Sequence, residues 1–318
     1  MHNANFKFNQ PWINQRADPY IYFHSDGWYY FTASVPEYDR IILRRSRDLY
    51  DLDKAEEITV WKKHDSGPMS YHIWAPEIHF IMGKWVIYFS AGEKDDIWKI
   101  RPYALECTGS NPYTDPWRER GMLRPAADDC FSFQGFSLDA TVFSVRDEHY
   151  LIWAEKVGVG KQISNLYIGK MDTPFSLKTV QVLLTTPDYE WERFGLWVNE
   201  GPSVLIHNQT IYLTYSASDT GIHYCIGMLT ANIYADLLDP KVWKKSPVPV
   251  LKSDEAKCIF GPGHNSFVKD AEGNDILIYH ARTTSHIVEN PLYNPDRHAM
   301  LMKIKWSQND QPVFSFEG

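Results

Sequence analysis

The chain has 318 residues, 44% of them hydrophobic and 15% aromatic, with 32 Lys and Arg against 40 Asp and Glu for a formal charge of −8. That length admits one large all-β domain or two smaller domains, and the negative balance argues against a general nucleic-acid binder, whose affinity comes from cations set on phosphates. No run approaches the ~18 consecutive apolar residues of a membrane-spanning helix.

The opening MHNANFKFNQPW has no basic stretch followed by an apolar core, so no signal peptide is read there and a cytoplasmic protein is expected. Strand signals then begin at residues 19–23, turn through His24-Ser25-Asp26-Gly27 and return over 28–33. The same hairpin recurs at 78–82 with 85–90, at 140–145 with 150–154, at 203–206 with 211–216, and at 266–268 with 276–281. A third strand follows each, at 41–46, 100–107, 165–170, 224–229 and 298–306. Polar or Pro-rich segments such as 111–117 and 239–244 close the units, and residues 232–238 carry the one weak helix signal. The four cysteines, Cys107, Cys130, Cys225 and Cys258, have neither CxxC nor metal-type spacing and read as unpaired thiols.

Five hairpins recurring at roughly 60 residues point to a radial or stacked repeat. Three or four antiparallel strands per repeat match a five-bladed β-propeller better than a β-solenoid, whose repeats are shorter. The expected fold is therefore all-β, with residues 1–318 forming a single domain. In such a ring the first strand of each blade lines the axis and begins at one mouth of the channel. Asp18, Glu77, Asp139, Glu200 and His264 open those strands, so they are expected to share one face with Ser34, Gly92, Glu155, Ser218 and Arg282.

Acids gathered in one cavity raise one another's pKa, and burial raises them further. The result is one ionised carboxylate beside one protonated carboxyl, the pair that glycoside hydrolysis uses. Asp18, Asp139 and Glu200 are the candidates, each beside a small or proline residue that lets a substrate approach. Singly, an acid at a strand start more often caps a turn; three at equivalent repeat positions argue for chemistry. Glu77 follows Pro76, and alternation turns it from the axis, which favours a structural role.

The segments RADPYIYF, HIWAPEIHF, SLDATVF, NEGPSV and GPGHNSF resemble, in order and spacing over the whole chain, the strand-one motifs of glycoside hydrolase family 43. VPEYDRIILRRS and HIWAPEIHF are most similar to its exo-acting 1,5-α-L-arabinofuranosidase branch. The resemblance implies a five-bladed propeller and hydrolysis with inversion, with Asp18 as general base, Glu200 as general acid and Asp139 orienting the acid and tuning its pKa. Base and acid carboxyls of such enzymes lie about 6.5–9.5 Å apart. It further implies that His264 reaches a hydrated calcium on the axis, structural or electrostatic in role, and that Arg282 contacts the acid or the substrate, holding Glu200 and Asp139 by bidentate hydrogen bonds. Trp74 and Phe136 are placed to stack on a sugar ring or wall the pocket, or else to pack in the core. No organic cofactor is implied. The expected partner is an arabino-oligosaccharide, with no nucleic acid and no membrane, and the oligomeric state is not legible. A β-xylosidase or dual xylosidase/arabinofuranosidase, a retaining sucrose- or fructan-cleaving propeller, and a catalytically silent glycan-binding propeller are the competing readings.

Overall fold

The computed structural model describes residues 6–156 and 163–317; the first five residues of the segment read for a signal peptide lie outside them. The described residues form an all-β structure with short 3-10 turns and no α-helix. Each second strand is almost wholly buried, as in Tyr29–Ser34, Lys84–Glu93 and Asp275–Arg282. Sheets covered on both faces carry continuous apolar runs instead of alternation, which is why YYFTAS and WVIYFSAG read so clearly.

Strands Ala17–Phe23, Tyr29–Ser34, Arg40–Ser46 and Ile58–Lys62 form one antiparallel sheet, and Tyr71–Ile81, Lys84–Glu93, Asp96–Cys107 and Trp117–Met122 a second. The third and fourth units fuse into one nine-stranded sheet, because Ile163–Thr173 pairs in parallel with Trp197–His207. Phe260–Lys269, Asp275–Arg282 and His298–Lys303 make the fifth unit. The N-terminal segment runs beside its outer strand, with Asn9 N–H donating to Leu301 at 2.8 Å and Trp12 N–H to Ala299 at 2.9 Å. Five buried apolar clusters lie between successive units. One joins Phe31 and Ala33 of the first unit to Ile276, Ile278 and Leu301 of the last.

The weak helix signal after Asn232 does not become a helix. The Asn232 side chain accepts the Tyr234 N–H and the Asp236 side chain accepts the Leu238 N–H, so local side chains take the donors that a helix would use. All four cysteines are free thiols, Cys107 and Cys225 buried.

Each first strand carries a bulge at the same place. The two residues left out of register are Asp18-Pro19, Ala75-Pro76, Asp139-Ala140, Gly201-Pro202 and His264-Asn265. Their first members all have left-handed backbones, with φ of 52°, 44°, 55°, 53° and 41°. Such bulges re-aim side chains and gather near functional sites, and left-handed non-glycine residues are held only where their surroundings enforce them. The equivalent positions are therefore 18, 75, 139, 201 and 264. This corrects the expected alignment: Ala75, not Glu77, matches Asp18, and Glu200 stands one residue before its match.

Candidate active site

Asp18, Asp139 and His264 in their bulges, and Trp74 and Glu200 just before theirs, line one cavity of about 630 Å³, within the usual range for small-molecule sites. Asp18, Asp139, Glu200, His264, Tyr224 and Arg297 supply its polar lining. Trp74, Trp98, Phe136, Leu138, Leu196 and Val198 supply apolar walls, and Asn290–Leu292 form part of its rim. Trp98 is half exposed at 50%.

Each bulge is held to the preceding unit by its amide. Asp18 N–H donates to His280 Nδ1 at 3.0 Å, Ala75 N–H to Ser34 Oγ at 2.8 Å, Asp139 N–H to Ser90 Oγ at 3.0 Å, and His264 N–H to Ser216 Oγ at 2.7 Å. The acceptors occupy one register position in their second strands, each opposite the residue that precedes the bulge. In the third unit that position is Ala154, opposite Leu138. With no side-chain acceptor there, Gly201 N–H donates to the Asp139 carboxylate, Oδ2, at 3.0 Å.

Asp18 is buried and accepts the Ser34 hydroxyl at 2.6 Å. Its Oδ1 faces His264 Nδ1 at 3.3 Å and Arg297 Nη1 at 3.6 Å. Burial by itself would raise this carboxyl, but His264 and Arg297 outweigh it and hold the group well below the usual carboxylate range. His280 Nδ1 also lies 3.4 Å from Oδ1, yet it accepts the Asp18 N–H and so carries no proton for the carboxylate. Burial pushes that imidazole down to about 3, which keeps it neutral.

Asp139 and Glu200 stand the other way. Burial pushes Asp139 well above the usual range, and the charges of Glu200 and Asp18 add to the rise. Burial lifts Glu200 to about 7; Asp18 adds to it, while the Tyr224 hydroxyl and Arg297 oppose it. Tyr224 Oη donates to Glu200 Oε1 at 2.8 Å. Two acids whose charges interact this strongly take up and release protons as a pair, so this pair retains a proton at neutral pH while Asp18 does not.

Two glycines make the arrangement possible. A Cβ on Gly263 would stand 2.2 Å from the Tyr224 ring, and one on Gly201 would meet His264 Cγ at 3.1 Å. Tyr224 accordingly lies flat against His280, with ring centroids 5.6 Å apart and planes within 1°. Upstream of Glu200, Asn199 is pinned by its side chain to Glu192 at 3.0 Å. Glu192 is fully buried and accepts from Lys245, Tyr215 and two backbone amides.

Of the residues singled out from sequence, Asp18, Asp139, Glu200, His264, Trp74 and Phe136 all reach the cavity. Arg282 does not. It is 1% exposed, donates to Asn294 and to the Pro291 carbonyl at 2.7 Å, and so fastens the segment carrying the rim. The guanidinium beside the carboxylates belongs to Arg297, which also donates to Tyr38 Oη at 2.6 Å. Glu77 pairs with His79 at 2.8 Å, a structural contact. Arg297, Tyr224 and Trp98 were not singled out from sequence.

No group of three or more His, Cys, Asp or Glu side chains among the described residues is set to hold a metal. His264 turns Nδ1 toward carboxylates, and one imidazole does not make the oxygen-rich shell that calcium takes. The side chains present do not by themselves fit the ion.

The pattern of glycosyl hydrolases family 43 matches residues 8–312. An extracellular exo-α-(1→5)-L-arabinofuranosidase of Streptomyces avermitilis is 46% identical over 308 residues, covering 96% of this chain and 63% of the relative. A protein of the same name from Streptomyces chartreusis is 46% identical, covering 89% of this chain and 85% of its own length. The crystal structure of an α-L-arabinofuranosidase from Lactobacillus brevis superposes with a TM-score of 0.90 at 45% identity, covering 97% of this chain and 96% of that one. The chain thus spans less than two thirds of the Streptomyces avermitilis relative. Both Streptomyces relatives are named extracellular, which overturns the cytoplasmic expectation and points to secretion. That expectation rested on a missing apolar leader in the first residues, and the composition of those residues does not fix where the activity works.

Proposed function

The chain belongs to glycosyl hydrolases family 43, and from that premise we propose that it is an inverting exo-hydrolase releasing L-arabinofuranose from the ends of α-1,5-linked arabino-oligosaccharides. The names of relatives at 46% identity support the substrate. One observation carries the mechanism: two carboxyl groups of opposite proton affinity, buried Asp18 and half-buried Glu200, line one cavity.

Asp18, ionised, takes a proton from a water as that water attacks the anomeric carbon. Glu200, protonated, gives its proton to the departing glycosidic oxygen on the opposite face of the ring. The glycosidic bond breaks, the new bond to water oxygen forms, and the configuration inverts. Solvent then removes the proton from Asp18 and returns one to Glu200. Asp139 binds the amide after Glu200, which orients the acid, and shares the pair's proton with it. Arg297 and His264 hold Asp18 ionised. Trp74, Trp98 and Phe136 offer apolar faces to the sugars.

A five-bladed propeller within a single domain is the architecture this reading adopts. It is supported by five equivalent bulges, by five inter-unit cores and by the N-terminal segment beside the last unit. An axial calcium, held mainly by water beside His264, is a separate proposal, and no step above passes through it.

Glu200→Ala tests the assignment. It is expected to lower hydrolysis of linear arabinotriose by about 10³-fold, with much of the loss recovered on an aryl arabinoside whose leaving group needs no proton. Equal loss on both substrates contradicts the acid role, and product of retained configuration contradicts inversion. A panel that includes aryl xylosides decides sugar preference; faster xyloside turnover would move the assignment to a β-xylosidase.

A further inference from the structure

Asp18 and Asp139 occupy the same bulge position in their units, and each faces the same register position on the neighbouring strand. In the first unit that position is Ser34, whose hydroxyl does two things at once. It accepts the Ala75 N–H from the next unit at 2.8 Å and donates its proton to Asp18 Oδ2 at 2.6 Å. In the third unit it is Ala154, fully buried, with no hydroxyl to give. There the carboxylate itself crosses to the next unit and takes the Gly201 N–H at 3.0 Å. Ser90, Ser216 and His280 fill the remaining three positions and accept the corresponding amides. The ring of five contacts therefore has one gap in its side-chain acceptors. The gap lies where the next residue over is the one that follows Glu200.

We propose that Ser34 and Ala154 are positioning residues for hydrolysis: the hydroxyl at 34 fixes Asp18 beside the channel as an acceptor of protons, and the bare methyl at 154 obliges Asp139 to brace the backbone of the acid. The same bulge yields two differently employed aspartates because a single oxygen atom is present in one unit and missing in the other. The other groups that face the two aspartates differ. Asp18 meets His264, His280 and Arg297, with Tyr38 behind Arg297. Asp139 faces His264 Nδ1 at 3.9 Å and feels the charges of Glu200, Asp18 and Glu77, with Tyr224 also within reach of its field.

This inference rests on Asp18 being the base and Glu200 the acid, and it is separable from them. Were those roles wrong, Glu200→Ala would show no leaving-group rescue, whatever stands at 154. The direct test is Ala154→Ser against Ala154→Cys, which is similar in shape but a weak donor. A serine there can accept the Gly201 N–H and donate to Asp139, copying the first unit. Stabilising the charged form of the Asp139/Glu200 pair by one hydrogen bond is expected to move the alkaline limb of kcat/KM down by about one pH unit. Turnover of arabinotriose is expected to fall by about 10-fold, and that of a dinitrophenyl arabinoside less, because only the acid is disturbed. The cysteine variant is expected to leave the limb in place. An unmoved limb in a folded Ala154→Ser protein, or equal movement in both variants, overturns the proposal.

The reciprocal variant, Ser34→Ala, keeps the proposal testable if the serine variant does not fold. Its crystal structure is expected to show the Asp18 carboxylate bonded directly to Ala75 N–H, as Asp139 is to Gly201. Activity is expected to fall by about 10-fold on both substrates alike, since the base acts whatever the leaving group. An unmoved Asp18 with unchanged activity overturns the proposal from the other side.

Discussion

The first and third repeat units build the same bulge around the same residue type and obtain opposite chemistry from it. Asp18 lies among a hydroxyl, a guanidinium and an imidazole, and stays ionised. Asp139 takes the Gly201 N–H, has alanine where Asp18 has serine, and with Glu200 keeps a proton. Fold position alone therefore does not assign a role. The partners that cross the unit boundary do, and they come from different places: Arg297 from the loop just before the last strand of the fifth unit, Glu200 from the next first strand.

The largest effect that can break this comparison is at Asp18, the proposed base. Asp18→Asn is expected to lower kcat by about 10³-fold or more on every substrate, with no rescue by a better leaving group; a rescue would contradict the proposed base role. Arg297→Met, which leaves Asp18 with one cation fewer, is expected to cost about 10²-fold and to move the acid limb of kcat/KM to higher pH, because the carboxylate then binds protons more tightly. Gly263→Ala drives a methyl into the Tyr224 ring. A loss of about 10-fold is expected, together with an alkaline limb shifted upward, since Tyr224 donates to the ionised form of Glu200.

Stability sharpens the contrast with a smaller signal of opposite sign. A carboxyl whose folded pKa is depressed stabilises the protein above its unfolded pKa, and that contribution is lost as pH falls through the folded value. Asp18→Asn is thus expected to lower Tm at pH 7. A carboxyl whose folded pKa is raised has its full relative stability below the unfolded pKa and loses it as pH rises through the folded one. For Glu200, whose usual 4.5 is lifted to about 7, the loss falls between those values. Glu200→Gln is therefore expected to raise stability at pH 8 by up to about 3 kcal/mol relative to its effect at pH 4. Thermal unfolding of both variants at pH 4, 7 and 8 checks the signs.

Most of the fold is legible in the sequence because its central strands are covered on both sides and read as unbroken aromatic and aliphatic runs. The bulges are less visible. Counting alternation through APEI makes Glu77 the partner of Asp18, whereas Ala75-Pro76 is the bulge and Glu77 lies beyond it. A signal was present: Asp18-Pro19, Ala75-Pro76 and Gly201-Pro202 share a proline that cannot join the ladder. The three carboxylates are legible because their motifs lie in the first strands of the repeats. Arg297 is not legible because it lies outside the hairpins, whereas Arg282 stands at the visible end of a strand. Its guanidinium is committed to the Pro291 carbonyl and Asn294, a contact set by the return of a loop that no local pattern announces. Tyr224 was read only as the start of a third strand, since its access to Glu200 depends on the bare backbone of Gly263.

The central claim is that one carboxyl of the cavity is ionised and another protonated at the pH of catalysis. Titration of the folded enzyme with ¹³C-labelled aspartate and glutamate side chains, the signals assigned through Asp18→Asn and Glu200→Gln, measures this most directly. The account predicts that the Asp18 carbon stays in its ionised position from pH 8 down to pH 4, while the Glu200 carbon moves near pH 7. An Asp18 signal that titrates above pH 4, or a Glu200 signal already ionised at pH 5, would contradict it.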